Sequence, residues 1–468
     1  MTRALTNGLT VLMWGCFAFG LVYFAFLHVW QRRSVAMLRA PRPSTRHEPM
    51  AWVAARTDLP GVTMIMPGFN EEVTILGSVG SVLSMDYPRL EVIVVNDGSC
   101  DRTVAMLVEH YDMVVVGGEP LAGPIHCEPV RALYRSRSDP RLLLIDKEPA
   151  GAKADGANCA INYASGDWCV VMDADVLVAP DAVLRCMTEI VHTPGNVIAA
   201  GVTLLPTNEC DITDARVVTA VVARNPWVGM QTVEYLGAFL LNRPGMSTLG
   251  ALPIISGGFG VFRRDALVRV GGYRHPSLGE DLDMAVRLHR SFREAKEPYR
   301  VLQVPDAICW TEFPFNCAML RRQRIRWHRG LRQVLREHRK VILNPRYGAF
   351  GMLGMSNMYV FEWLAVSVEA AGYVSCAVLG FTGNLNAASA AAFFACSQSV
   401  GLYLSISALR TAVRFLDVYR GRRNALRLLG WAVAMQFGYR QMTVLWRVRS
   451  LVGKSMAWGA MPRAGFSG

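Results

Sequence analysis

Three short β-like runs, each broken at its carboxyl end by a polar cluster, do most to limit what this chain can become. VTMIM (62–66) runs into Pro67-Gly68-Phe69-Asn70-Glu71, EVIVV (91–95) into Asn96-Asp97-Gly98-Ser99, and WCVVM (168–172) into Asp173-Ala174-Asp175. In an open α/β sheet, ligands collect in the crevice beyond the carboxyl ends of the strands, so these clusters are expected at one site. Further strand candidates at 141–145, 197–204 and 300–304 alternate with amphipathic stretches at 72–84, 101–111, 152–164 and 180–192. The predicted fold is α/β, with a Rossmann-like, mostly parallel sheet.

Outside this region the chain reads as membrane-embedded. Of its 468 residues 52% are hydrophobic, and the mean hydropathy is +0.23. Residues 8–30 form an uncharged apolar run, and a bilayer span needs about 20 residues. A cleaved signal peptide would carry a shorter apolar core of roughly 7–15 residues and a small-residue cleavage site. Here Gln31-Arg32-Arg33 follow instead, which favours a retained span with a cytoplasmic carboxyl side. Residues 359–381 and 387–409 are also span-length. Glu362 and Glu369 in the first of these should face protein or a wet cavity rather than lipid. The stretch at 424–446 holds Arg427 and Arg440 around a short uncharged segment and reads as interfacial or re-entrant, giving three spans, with four as the alternative.

The formal charge of +12 could serve nucleic acid, anionic lipid or a phosphorylated substrate. Its arginines cluster beside the apolar segments, as expected on the cytoplasmic face of a bilayer, and no nucleic-acid-binding motif accompanies them. The eleven cysteines form no CxxC pair and no metal-ligand spacing. They are expected to be reduced.

Each motif has a bland reading beside a chemical one. Pro67, Asn70 and Glu71 lie in a cluster that can bring backbone close to a ligand, or can simply turn a strand into a helix. Asp97 can accept hydrogen bonds from a base edge or cap the next helix. Asp173 and Asp175 offer hard oxygens suited to Mg²⁺ or Mn²⁺, with an Asp-rich turn as the alternative. Glu280-Asp281, after Gly279, can favour a helix dipole or supply a general base. Gln323, Arg326 and Trp327 fall at i, i+3 and i+4, one helical face carrying a donor, a cation and an aromatic ring. That set suits a diphosphate and a stacked sugar. Arg321, Arg322, Arg332 and Arg336 are expected to be a solvated face, and Trp227, Trp310 and Trp363 packing residues.

Taken in order, the five clusters resemble the membrane-integrated branch of family 2 glycosyltransferases, which includes poly-N-acetylglucosamine, hyaluronan, chitin-oligomer and cellulose synthases. The resemblance covers residues 58–340 and implies a GT-A fold. By position, it implies that Asp97 binds the uridine of a UDP-sugar and that Lys153, in Gly151-Ala152-Lys153-Ala154-Asp155, lies in a nucleotide-binding stretch. It gives Asp173 and Asp175 a DxD metal-diphosphate role, with Pro67, Asn70 and Glu71 on the donor side. Ser256 and Gly257 would line the acceptor side, Asp281, beside Glu280, would be the base, and Gln323, Arg326 and Trp327 would match QxxRW. Ala152 departs from the usual second glycine, and no gating-loop motif of cellulose synthase is found.

The expected organisation is an N-terminal transmembrane helix (1–31), a basic linker (32–58), a GT-A domain (59–312) and amphipathic interface helices (313–349). Two transmembrane helices (350–410) and a cytoplasmic loop with an interfacial or re-entrant helix and basic tail (411–468) follow. The expected activity is inverting, metal-dependent transfer from UDP-N-acetylglucosamine or UDP-glucose to a growing β-linked glycan, at a multi-pass cell-membrane protein with a cytoplasmic catalytic domain. Accessory export subunits and oligomeric state are left open. A non-processive enzyme acting on a lipid acceptor is the near rival, and an inactive scaffold or channel the distant one.

Overall fold

The computed structural model describes residues 3–42, 59–117, 123–452 and 465. Most of the expected linker (43–58) and the tail residues Lys454 and Arg463 lie outside the described residues. The chain divides into two compact units: Leu38–Val221, Leu252–Phe313 and Ala457–Gly468 make one, and Met1–Met37, Val222–Ala251 and Pro314–Met456 the other. Residues 222–251 therefore leave the region expected to be one continuous domain.

The first unit carries twelve described strands: β1 (Val62–Gly68), β2 (Leu90–Asn96), β3 (Met113–Val115), β4 (Val130–Ser136), β5 (Leu142–Lys147), β6 (Trp168–Met172), β7 (Val176–Val178), β8 (Val197–Pro206), β9 (Asp211–Thr213), β10 (Arg216–Thr219), β11 (Phe259–Arg263) and β12 (Arg300–Thr311). Ten form one sheet in the order β3-β4-β5-β2-β1-β6-β11-β8-β12-β7, and β9 pairs with β10. All six expected strands are present.

The sheet is mixed, which corrects the expectation of a mostly parallel one. Its centre, β5-β2-β1-β6, is parallel, as is the pair β8-β12. The other five pairings of this sheet are antiparallel. Parallel neighbours need a long crossover, usually a helix, and Ile75–Leu83 supplies one between β1 and β2. Residues 137–141 instead turn β4 directly back onto β5, which forces that pair antiparallel.

Strands β1, β6 and β8 are buried along their whole length. The helix Lys153–Tyr163 packs on β1 and β2, and Ala182–His192 on β8 and β12. Gly156 permits the first contact: a Cβ there would stand 3.0 Å from Pro67 Cβ.

The second unit is helical. Arg3–Arg39 and Phe350–Phe381 are long and apolar enough to cross a membrane. Arg3–Arg39 runs on through residues expected to be linker. The third expected span falls on Ala387–Phe415, a helix of 29 residues. The segment at 424–446 is interrupted near Gly438, whose φ is 88°. It forms Arg422–Ala434 and Tyr439–Ser450, of 13 and 12 residues. At about 1.5 Å per residue neither reaches the roughly 30 Å of a bilayer core.

Glu369 pairs with Arg440 at 3.1 Å and Glu362 with Arg447 at 3.9 Å. Both acidic residues of the apolar helix thus face protein cations, as the cost of an isolated charge there requires. Each partner set is spaced by seven residues, so the two pairs lock Tyr439–Ser450 antiparallel to that helix.

Candidate active site

Register aligns the carboxyl ends of the central strands. Gly68 stands opposite Asn96, and Asn96 opposite Asp146. The loops that follow are joined by hydrogen bonds. Asn70 N–H donates to Ser99 Oγ at 2.9 Å, Cys100 N–H to Asn70 Oδ1 at 2.8 Å, and Glu71 N–H to Thr103 Oγ1 at 2.9 Å. Asn70 holds a positive φ of 56° to do so. Glu71 also accepts from Thr74 Oγ1 at 2.8 Å, so Asn70 and Glu71 fasten one rim of the crevice.

Asp97 is buried and well partnered. Its Oδ1 accepts from Lys147 Nζ at 2.6 Å and Ala150 N–H at 3.0 Å, and its Oδ2 from Ala152 N–H at 3.2 Å. Lys147, fully buried, also reaches Asp155 Oδ2 at 2.7 Å. Burial works against its charge, but Asp155 and Asp97 raise its pKa above the ordinary value. The helix Thr103–His110 is served instead by Asp101, which accepts from Thr103 N–H. Asp97 therefore anchors the turn leading into Lys153.

Lys153 opens the helix Lys153–Tyr163 and joins the other loops. Its Nζ donates to Asp173 Oδ1 and to the carbonyl of Gly257, each at 2.5 Å. Because β11 runs antiparallel to β6, with Phe259 opposite Met172, the Ser256-Gly257-Gly258 segment meets the end of β6. Asp173 N–H donates to Gly258 O at 3.3 Å. A Cβ at Gly258 would come within 2.8 Å of Leu204 and 3.7 Å of Asp173 Oδ2, so bare backbone is needed there.

Asp281 stands in the first turn of Glu280–Glu294. Its Oδ2 accepts from Gly257 N–H at 3.2 Å and its Oδ1 from Leu282 N–H at 2.7 Å, which fixes the carboxylate plane. Half-buried Glu280 is pushed up to about 7 by burial and by Asp281. Burial opposes the charge of Lys153, while Asp173, Glu280 and Asp281 raise its pKa. Asp173 pairs with that ammonium at 2.5 Å, and the charges of Glu280 and Asp281 act on it from further off. Such an excess of hard oxygen charge fits a divalent cation. Asp175 is buried directly before β7.

Lys153, Asp173, Ser256, Gly257, Glu280 and Asp281 therefore gather in one unit, with Asp97 fixing the turn beside them. Gln323, Arg326 and Trp327 lie in the other, on the helix Cys317–Glu337, whose cap Asn316 accepts from Met319 N–H at 3.0 Å. Gln323 is buried and Trp327 is 39% exposed. Trp310 is buried, Trp227 packs beside Met230 and Leu320, and Trp363 stacks on Tyr359 at 5.5 Å. Lys147 escaped the sequence reading, although LLLI before Asp146-Lys147 repeats the pattern of an apolar run ending in charge.

The model for "Glycosyl transferase family group 2" matches residues 168–406, half of the chain. The chain is a family 2 glycosyltransferase. A second model, "Glycosyl transferase family 2", matches residues 63–271 of this glycosyltransferase. Among curated relatives, poly-beta-1,6-N-acetyl-D-glucosamine synthase of Staphylococcus aureus (strain COL) is 26% identical over 278 residues, 59% of this chain and 56% of the relative. The synthase of Staphylococcus epidermidis is 26% identical over 275 residues, 59% of this chain and 55% of the relative. The glycosyltransferase thus spans little more than half the length of the curated relatives it matches. Among solved structures, the mannosyltransferase PcManGT from Pyrobaculum calidifontis, in complex with GDP-Man and Mn2+, is similar with a TM-score of 0.56. At 21% identity, covering 89% of this chain and 99% of that one, it supports the GT-A-like fold.

Proposed function

We propose that this glycosyltransferase is an inverting, metal-dependent enzyme of the cell membrane that extends a β-linked polysaccharide from a UDP-sugar and passes it across the bilayer. UDP-N-acetylglucosamine is the first candidate donor, by likeness to the staphylococcal synthases, and UDP-glucose the second. The observation that carries the reading is the Lys153–Asp173–Gly257–Asp281 cluster, which ties a DxD carboxylate to an oriented base through one lysine and one backbone segment.

In this mechanism Asp97 and the turn it anchors take the uridine, with Pro67, Asn70 and Glu71 shaping the same side. Asp173 and Asp175 would hold Mg²⁺ or Mn²⁺, which supplies charge neutralisation at the departing diphosphate. Lys153 keeps Asp173 in place. Asp281, held by two backbone amides, accepts the proton of the acceptor hydroxyl as that oxygen attacks C1. An α-linked donor displaced in line gives a β-linkage. Glu280, protonated more readily than an ordinary carboxyl, keeps the local negative charge from rising further. Gln323 and Arg326 would bind diphosphate, Trp327 the acceptor end, and Ser256 and Gly257 would line the acceptor side.

The helices Arg3–Arg39, Phe350–Phe381 and Ala387–Phe415 are the spans in this reading, with the catalytic unit cytoplasmic. Membranes carrying the protein, incubated with radiolabelled UDP-sugars and Mg²⁺ or Mn²⁺, test it. A ladder of β-linked polymer that disappears with EDTA is the expected product. One discrete glycolipid would replace polymer synthesis by single transfer to lipid, and no transfer from any UDP-sugar would overturn the reading.

A further inference from the structure

Arg324 sits within the Gln323–Trp327 motif, and its guanidinium is engaged by Glu234 and Tyr439. It is 4% exposed. Its Nη1 and Nη2 donate to Glu234 Oε1 at 3.0 Å and Oε2 at 2.7 Å, a two-pronged pairing. Tyr439 O–H donates to the same Glu234 Oε2 at 2.8 Å. The guanidinium carbon lies 4.8 Å from the centre of the Trp327 ring. Arg324 is thus held by a half-buried carboxylate and faces an indole that is partly in solvent.

We infer that Glu234, Arg324 and Tyr439 are positioning residues that set the pose of the Trp327 ring. A guanidinium forked onto a carboxylate cannot rotate without losing both hydrogen bonds, so its plane is set by Glu234. The cation beneath the indole then favours one ring orientation over its other rotamers. Tyr439 completes the arrangement from the helix Tyr439–Ser450, and its ring packs with Met230 and Leu320. Removing its hydroxyl alone leaves that packing in place. The same helix carries Arg440 and Arg447, so the motif helix and the apolar helix Phe350–Phe381 share one support.

The inference rests on the reading of Trp327 as the acceptor platform, and the test separates the two. Tyr439→Phe, Arg324→Lys and Trp327→Ala, singly and in pairs, are assayed with UDP-N-acetylglucosamine and a β-linked N-acetylglucosamine oligomer as primer. Tyr439→Phe is expected to raise the primer KM about three- to tenfold, the net weight of one typical intramolecular hydrogen bond, with donor KM and kcat little changed. Arg324→Lys is expected to do at least as much. In the Trp327→Ala background Tyr439→Phe should add nothing. A raised primer KM in Trp327→Ala but not in Tyr439→Phe overturns the inference and leaves the acceptor reading standing. Independent, additive effects also overturn it, because they mean a general structural role. An unchanged primer KM in Trp327→Ala removes the acceptor reading and the inference with it. Should Arg324→Lys fail to fold, Tyr439→Phe carries the test, with its melting temperature compared to the parent.

Discussion

Replacing Lys147 with methionine tests whether the turn before Lys153 is held as described. The Lys147 side chain is 0% exposed. Its ammonium donates to Asp97 at 2.6 Å and to Glu148 O at 2.6 Å, and lies 2.7 Å from Asp155. All three protons are engaged. Methionine fills a similar volume but leaves two carboxylates, at most a tenth exposed, without their cation. Breaking one member of such a buried set costs about 3–5 kcal/mol. With a shift of about 2–4 °C per kcal/mol for a unit of this size, the melting temperature should fall by roughly 6–20 °C. The loss should not be shared equally. Asp97 keeps two amides, of Ala150 and Ala152, whereas Asp155 keeps one, Glu128 N–H, shared between its two oxygens at 3.2 Å. Adding Asp155→Asn to Lys147→Met should therefore restore part of the stability, although Asp155→Asn alone is destabilising. The assay is thermal unfolding of detergent-solubilised protein, with equilibrium binding of labelled UDP alongside. UDP affinity should drop in the single variant, because Lys147 holds both Asp97, which anchors the turn into Lys153, and the carbonyl of Glu148 within that turn. A Lys147→Met protein that melts within 2 °C of the parent, or a double variant no better than the single, would refute the argument.

Asp281→Asn should lower transfer by about 10²–10⁴, the usual weight of a general base, while labelled UDP still binds with near-parental affinity. Asp175→Ala should remove the dependence of UDP-sugar binding on Mg²⁺ or Mn²⁺; titration of the metal against a fixed donor concentration checks it. His289 accepts from Tyr299 O–H at 2.7 Å through Nδ1 and donates to Leu252 O at 2.9 Å through Nε2, so the neutral ring is fully satisfied. Burial drives its pKa down to about 3. The unfolded chain takes up this proton near pH 6.5 and the folded one does not, so the contribution is complete above that pH. It is lost as pH falls toward 3, by up to about 1.4 kcal/mol per unit. His289→Gln, which can keep both hydrogen bonds, should flatten the melting temperature between pH 6 and 4 relative to the parent, and parallel curves would contradict this.

The parts of the fold legible in the sequence were those encoded by continuous apolar runs. Strands β1, β2, β5, β6 and β8 are buried enough to show as largely apolar runs, and β12 shows as one over its first residues. β4, VRALYRS, is half-exposed and alternates charge with apolar residues, while β7 has only three residues. β11 is interrupted by Gly260. These strands owe their place to partners distant in sequence, which periodicity does not report, and they are what makes the sheet mixed. At the site, acidic residues after strands stood out because charge is conspicuous beside Val and Ile. Lys147 and Arg324 did not, because each neutralises a carboxylate far along the chain. Glu234 lies 90 residues from Arg324, a separation no local pattern bridges.

The detour of residues 222–251 out of the sheet-bearing unit bears on how that unit can be handled. β8 and β11 are hydrogen-bonded neighbours, Gly260 opposite Gly201, yet the peptide between them departs into the helical unit before coming back. Clipping off both ends of the polypeptide would still leave Pro226–Leu236 and its continuation in the fragment, with Val228, Met230 and Leu236 stripped of their packing. A water-soluble fragment of the sheet-bearing unit, without the Gln323–Trp327 motif, thus calls for an internal excision with a hydrophilic bridge from Val221 to Leu252, and not terminal trimming alone.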